Sequence, residues 1–150
     1  MEIKIKRLNK DAIIPKFEYG DDTGFSLYTC EEVTIKSNKM CAVPTGLAFE
    51  FPTGFAFQVK NRSGITMNGV LTSEGKYERI TVYEGTIDNG YRGPVSIMVR
   101  NETNHKITIP KGTKLAQGVI IRYYQGNFVE CEFLNESERN DKGFGSTGTN

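Results

Sequence analysis

The chain has 150 residues, 37% of them hydrophobic, which is enough to bury the core of one domain. Its 19 Lys and Arg against 18 Asp and Glu leave a formal charge of +1, with no long run of either sign. That balance argues against a broad polyanion-binding face, and so against duplex nucleic acid as a partner. No stretch approaches the roughly 20 apolar residues that a membrane-spanning helix needs, and MEIKIKRLNK lacks the apolar centre of a signal peptide, so no membrane association and a cytoplasmic location are expected. Three cysteines, Cys30, Cys41 and Cys131, are odd in number and widely spaced. They fit neither a disulfide framework nor paired zinc-ligand spacing and are expected to be packing thiols.

In chain order, short alternating runs separated by turn residues predict strands: IKIKRL, EEVTIKS, GLAFEF, GFAFQVK, RITVYE, VSIMVR, HKITIP, GVIIRYY and FVECEFL. This pattern predicts an all-β domain. Leu47, Phe49 and Phe51 share one side of their strand, as do Phe55, Phe57 and Val59, so the Pro52-Thr53-Gly54 turn is expected to close a hairpin. The other Pro-Thr-Gly, at 44–46, is expected to open the first of those strands. A short helix is tolerated only around 61–68. His105, the single histidine, falls between two predicted strands, and a turn or surface role is expected for it. Past Leu134 the chain turns polar and glycine-rich, giving a β domain over residues 1–134 and a flexible C-terminal arm over 135–150.

Four polar or glycine-rich islands interrupt the runs: Asp22-Thr23-Gly24-Phe25-Ser26-Leu27, Asn61-Arg62-Ser63-Gly64, Gly85 to Gly93, and Gly112 to Gln117. The glycines of Gly85-Thr86-Ile87-Asp88-Asn89-Gly90-Tyr91 suit a tight hairpin whose backbone is open to a flat ligand. Each island alone is a weak signal. Read in order, and followed by Gly143-Phe144-Gly145-Ser146-Thr147-Gly148, they resemble the five motifs of the homotrimeric dUTP diphosphatase family over nearly the whole chain.

That resemblance implies a jelly-roll-like β-barrel, a homotrimer with shared active sites, and hydrolysis of dUTP to dUMP and pyrophosphate by water attack at the α-phosphorus. Such an enzyme limits uracil incorporation into DNA and supplies dUMP for thymidylate synthesis. It further implies Mg²⁺ on the triphosphate, with the metal ligands of this chain left unassigned. By the same resemblance Asp88 holds the attacking water and Tyr91 lies under the deoxyribose, leaving no room for a 2′-hydroxyl. Gly85 and Ile87 belong to the hairpin that reads uracil through its backbone, while Arg62, Ser63, Gly64 and Gln117 meet the phosphates. Arg139 contacts the terminal phosphate, Phe144 stacks on uracil, and Gly145, Ser146 and Thr147 add donors to phosphate oxygens. Taken residue by residue the plainer readings stay open: Asp88 can cap its own turn, Tyr91 can be a core tyrosine, and Gln117 can face solvent.

The sequence departs from the family at several places. Ser26 stands where the first motif normally carries an aspartate that helps organise hydrated magnesium, and Asp21 or Asp22 is the nearby candidate to compensate. Twenty residues separate Gly64 from Gly85, and Thr72 to Arg79 read as an inserted charged turn, either a tolerated surface loop or the docking surface of a regulatory protein. Pro94 and Gly118 also differ from the family pattern. Two rival readings are a dCTP deaminase, against which Tyr91 and the tail speak, and a catalytically weakened relative that grips a regulatory protein.

Overall fold

The computed structural model describes residues 1–141; Phe144, Gly145, Ser146 and Thr147 lie outside the described residues. Twelve strands and one short helix follow in order: β1 (Lys4–Arg7), β2 (Gly24–Tyr28), β3 (Val33–Ile35), β4 (Met40–Glu50), β5 (Phe55–Lys60), α1 (Ser63–Asn68), β6 (Val70–Leu71), β7 (Tyr77–Glu78), β8 (Ile80–Tyr83), β9 (Gly85–Ile87), β10 (Val95–Asn101), β11 (Ile107–Ile109) and β12 (Lys114–Arg122). One four-stranded sheet has the order β1-β4-β10-β8, another the order β2-β12-β5-β9, and two-stranded ribbons β11-β3 and β6-β7 complete the body. The expected jelly-roll-like all-β fold is present. No helix among the described residues is long and apolar enough to cross a membrane.

Alternation along the strands builds the core between the two large sheets. From the first come Val43, Leu47, Phe49, Val82, Val95, Ile97 and Val99, and from the second Phe25, Leu27, Phe57, Val59 and Leu115, all buried. Phe57 is the meeting point: its ring centroid lies 5.1 Å from Phe49, 5.4 Å from Phe25 and 5.4 Å from Phe51. These separations are those of attractive tilted aromatic pairs. The buried Asn101 side chain is paired as burial demands, donating to Ile35 O at 3.1 Å and His105 O at 2.7 Å.

Several expectations are corrected. β4 and β5 do not form a hairpin: β4 pairs with β1 and β10, β5 with β12 and β9, so Pro52-Thr53-Gly54 carries the chain from one sheet to the other. A shared apolar face also results when two strands face each other across a core, and the Phe49–Phe57 contact is of that kind. Pro44-Thr45-Gly46 does not open a strand but sits inside β4 at a bulge, where the register jumps from Leu47 opposite Val95 to Pro44 opposite Ser96. Gly46 has φ +70°, and a β-carbon there would lie 2.9 Å from Asn9 Cβ and 3.0 Å from Cys30 Cβ, which accounts for the glycine. The islands at 22–27 and 112–117 do not interrupt strands; most of each lies within β2 and β12.

FVECEFL is not a strand. Residues 123–131 have no regular structure, and Phe128, Val129, Phe133 and Leu134 are exposed. Alternation can prescribe an apolar face, yet nothing among the described residues covers this one. Cys131 is likewise exposed, contrary to a packing role, whereas Cys30 is buried and Cys41 half-buried. Burial pushes both of those thiols up from the ordinary value. His105 is surface-exposed, its Nε2 3.1 Å from Glu78 Oε1, in keeping with its expected turn position.

The inserted turn is the β6-β7 ribbon, closed by Thr72 N–H donating to Lys76 O at 2.9 Å and Thr72 Oγ1 donating to the same oxygen at 3.0 Å. Ser73 ties it to the body through Thr108 O at 2.8 Å and Glu32 Oε2 at 3.1 Å.

Gly118 gives the fold a direct test. It faces Phe25 across the β12-β2 pair, and a β-carbon there would lie 2.2–2.8 Å from three atoms of the Phe25 ring. Gly118→Ala should therefore push that ring from its place beside Phe57 and destabilise the chain by about 1–3 kcal/mol, read as a lowered thermal midpoint.

Candidate active site

The sheet β2-β12-β5-β9 places four of the five motif regions side by side. β2 carries Ser26 opposite Gln117 of β12; Gln117 in turn faces Lys60 at the end of β5, from which the chain enters Arg62-Ser63-Gly64. Along its other edge β5 pairs with β9, Val59 opposite Gly85 and Phe57 opposite Ile87.

At the Lys60 end one cluster forms. Gln117 Nε2 donates to Asn61 O at 3.0 Å, and Arg62 Nη1 donates to Lys114 O at 3.1 Å, which fastens the β5–α1 turn onto β12. Arg62 precedes the first helical residue with extended backbone, φ −109° and ψ 137°, and Ser63 and Gly64 are exposed beside it. Ser26 is buried, and its Oγ donates to Glu18 Oε1 at 3.5 Å. Glu18 is also reached by Lys114 Nζ at 2.6 Å, Tyr28 OH at 3.3 Å and Lys16 Nζ at 3.6 Å. The hydrogen bond from Lys114, reinforced by its charge, holds the Glu18 carboxyl below its usual range despite some desolvation; the same bond raises Lys114. The carboxylate nearest Ser26 is thus Glu18. Asp22 accepts from Tyr19 N at 3.0 Å, and Asp21 is exposed; the hydrogen bond of Ser26 Oγ goes to Glu18.

The second cluster lies at the other end of β5. After β9 the chain turns at Asp88, with Tyr91 N–H donating to Asp88 O at 3.0 Å. The expected hairpin is not formed: β9 belongs to the sheet of β5 and β10 to the sheet of β4 and β8, so the loop bridges the two sheets. Among the described residues β9 pairs only with β5, and its outer edge keeps backbone donors and acceptors for a ligand. A cleft of about 370 Å³ opens there, lined by Thr86, Ile87, Asp88, Tyr91, Pro94 and Ser96. Tyr91 is half-exposed, its OH donates to Pro94 O at 3.0 Å, and its ring lies so close over Gly93 that a β-carbon there would meet it at 2.5–2.9 Å. On the other side of the turn, Asp88 shares a second cleft with Ala56, Asn89 and Tyr123.

The structure therefore gathers Arg62, Ser63, Gly64 and Gln117 with Ser26, and separately Ile87, Asp88 and Tyr91, with Gly85 between the two groups opposite Val59. Arg139 is exposed in the irregular stretch after Leu134, next to a Ser137–Asn140 turn closed by Ser137 N to Asn140 Oδ1 at 2.9 Å and Asn140 N to Ser137 Oγ at 3.0 Å. Sequence reasoning missed Glu18 altogether and gave no role to Lys114, Asn61 and Asn89, although these three lie within the islands. Lone polar residues in turns and strand ends carry no periodic signal, and only the pairing of distant strands brings these together. No three His, Cys, Asp or Glu side chains converge as a metal cage among the described residues.

Comparison with known proteins agrees with this architecture. The dUTPase family profile matches residues 10–148. A deoxyuridine 5′-triphosphate nucleotidohydrolase of Helicobacter pylori is 37% identical over 99% of this chain and 97% of its own length, and one from Nautilia profundicola is 37% identical over 99% of both. In fold, a dUTPase of Staphylococcus bacteriophage 80alpha solved with dUpNHpp superposes with TM-score 0.85 at 23% identity, covering 99% of each chain. The fold and sequence together define a β-sheet nucleotidohydrolase. The chain belongs to the dUTPase family.

The Glu18–Lys114 pair should leave a pH signature. A carboxyl lowered in the folded state stabilises above its unfolded value and ceases to do so as pH falls through the folded value. Glu18→Gln should thus melt slightly below the parent at neutral pH, with a constant gap down to about pH 4.5, the ordinary value, and a closing gap below it. A gap that widened on acidification would contradict the pairing.

Proposed function

We propose that this chain hydrolyses dUTP to dUMP and pyrophosphate at sites shared between the chains of a homotrimer. The observation that carries the shared site is the placement of the two clusters at opposite ends of β5. Asp88 lines a cleft with Ala56, whereas Arg62 follows Lys60. Four residues of extended strand from Ala56 to Lys60 span roughly 13 Å. A water poised for attack sits only about 3–3.5 Å from the atom it strikes, and this separation within one chain supports a site completed by the Arg62 of another. A second chain completes it by bringing its Arg62–Ser63–Gly64 and Gln117 to the first chain's Asp88.

Uncovered apolar surface supports the same assembly. Tyr124, Phe128, Val129, Phe133 and Leu134 are 77–100% exposed on a single segment, more than an isolated chain would leave in water.

Within the site the outer edge of β9, at Gly85 to Ile87, pairs with uracil through fixed backbone groups. Cytosine's reversed donor and acceptor would leave those groups unpaired and buried, a strong basis for rejection. Tyr91, fixed by Pro94 O and Gly93, walls off the sugar's 2′ position. Asp88 accepts a hydrogen bond from the attacking water and aligns it, while Arg62, Ser63, Gly64 and Gln117 orient the phosphates. Bound Mg²⁺ would supply neutralisation of the triphosphate charge. The stretch 135–150 acts as an arm: Arg139 meets the terminal phosphate, Phe144 stacks on uracil, and Gly145, Ser146 and Thr147 close on the phosphates. The enzyme works in the cytoplasm, limiting uracil in DNA and supplying dUMP for thymidylate synthesis. Exposed Leu71 and Tyr77 on the β6-β7 ribbon support a protein-docking role for the 72–79 turn.

Purified protein given dUTP, UTP, dCTP and dTTP with Mg²⁺ should convert dUTP alone to monophosphate and pyrophosphate, as followed by chromatography. Formation of dUTP from dCTP would replace this reading with a deaminase. Asp88→Asn should slow turnover by about 10²–10⁴-fold with little effect on binding.

Co-refolding equal amounts of Asp88→Asn and Arg62→Ala chains should restore about a quarter of parental activity, because a quarter of the sites then combine an intact Asp88 with an intact Arg62 from another chain. No recovery after demonstrated chain exchange would place both groups of each site in one chain.

A further inference from the structure

Asn89 is absent from the chemistry described so far, yet it has the densest set of hydrogen bonds in its loop. Its Nδ2 lies 3.1 Å from Phe51 O, 2.9 Å from Pro52 O and 2.8 Å from Phe55 O. All three acceptors are backbone oxygens, two in the crossover between β4 and β5 and the third on Phe55, the first residue of β5. An amide nitrogen has two hydrogens, so at least one is shared, and only a donor satisfies three converging carbonyls. This also fixes which end of the Asn89 amide is nitrogen. The Asn89 backbone oxygen accepts from Arg92 Nη1, and Arg92 Nε lies 3.8 Å from Glu50 Oε2, whose partner oxygen is bonded to Lys4 at 2.8 Å. Asn89 is thereby fixed through side chain and backbone to the β4 end and the turn that follows it.

The consequence falls on its neighbour. Asp88 follows Ile87, which the β9-β5 ladder holds opposite Phe57, and precedes Asn89. One side of Asp88 is fixed by a sheet and the other by this three-carbonyl clamp. We propose that Asn89 is a positioning residue that sets the Asp88 carboxylate for the attacking water. This rests on the water-activating reading of Asp88. Base recognition by β9 has its own support in the ladder to β5, so loss of the clamp affects the turn at Asp88 more than it affects the uracil edge.

The test is a cycle of four proteins: parent, Asn89→Ala, Asp88→Asn and the double variant. Single-turnover rates on dUTP are measured together with affinity for dUpNHpp. Asn89→Ala should slow the chemical step by roughly 10- to 100-fold, the scale expected of a misplaced catalytic group. Affinity for dUpNHpp should stay within about threefold, and in the Asp88→Asn background removal of Asn89 should cost less than about twofold, because the group it positions is already gone. Parent-like turnover by Asn89→Ala, an equal proportional loss in both backgrounds, or a loss confined to dUpNHpp affinity would each overturn the proposal while leaving the Asp88 reading in place. Parent-like turnover by Asp88→Asn alone would instead overturn that reading and this inference with it. If Asn89→Ala fails to fold by circular dichroism, Asn89→Ser, which keeps one donor in a smaller side chain, is judged by the same criteria.

Discussion

The pairing of β5 with β12 on one edge and β9 on the other is the interaction on which the rest of the molecule depends. Its middle residue Phe57 is fully buried where both sheets meet, so the strand cannot slide without moving an aromatic cluster drawn from β2, β4 and β5. A shift of one residue would also turn Phe57 outward and bring Gln58 into the core. The register that protects the core therefore fixes Lys60 opposite Gln117 and Phe57 opposite Ile87. Stability and site geometry share this single constraint. Side chains at the two ends of β5 inherit their positions from packing at its centre.

Much of this was legible because the fold repeats simple signals. Alternation located most strands, glycine and proline marked most turns, and the motif order pointed to a family whose sequence profile spans nearly the whole chain. Strand partners were less accessible. Leu47, Phe49 and Phe51 alternate with the same parity whether they face β5 within a sheet or across a core, and only the long-range ladder distinguishes the two. FVECEFL alternates well but finds no partner among the described residues. Periodicity reports that a face is apolar and says nothing about which chain covers it.

The site residues divide the same way. Asp88, Tyr91, Arg62 and Gln117 stood out through their motif surroundings, but Glu18 and Asn89 did not, since their importance arises from what folding brings to them. Position 26 illustrates this. A serine has no carboxylate, and its hydroxyl here donates to that of Glu18, delivered by the irregular stretch before β2 and held by Lys114 from β12. Lys114 also neutralises that charge, so this arrangement is a compensated pair and not a free anion replacing an aspartate. The cluster around Ser26 consequently carries less net negative charge than an aspartate at position 26 would give it.

Placing the two halves of a site at opposite ends of one strand has a further consequence for how activity depends on assembly. Under the shared-site proposal a single folded chain holds no complete site, because the β5 register that keeps Phe57 buried also fixes the β9 end leading to Asp88 and the strand end leading to Arg62 at separate places along β5. Flexing the strand to close that gap would break the ladder on both edges and expose the aromatic cluster, a cost comparable to unfolding a marginally stable domain. Association is the less costly route, and the exposed apolar segment from Tyr124 to Leu134 supplies surface whose burial favours it. Substitutions that weaken contacts between chains would then remove activity while leaving each chain folded. Substitutions in the core would remove both together. The clamp at Asn89 belongs between these extremes: it ties the loop after β9 to the turn leading into β5, so the rigid core reaches outward to the loop that, under the shared-site proposal, faces a second chain.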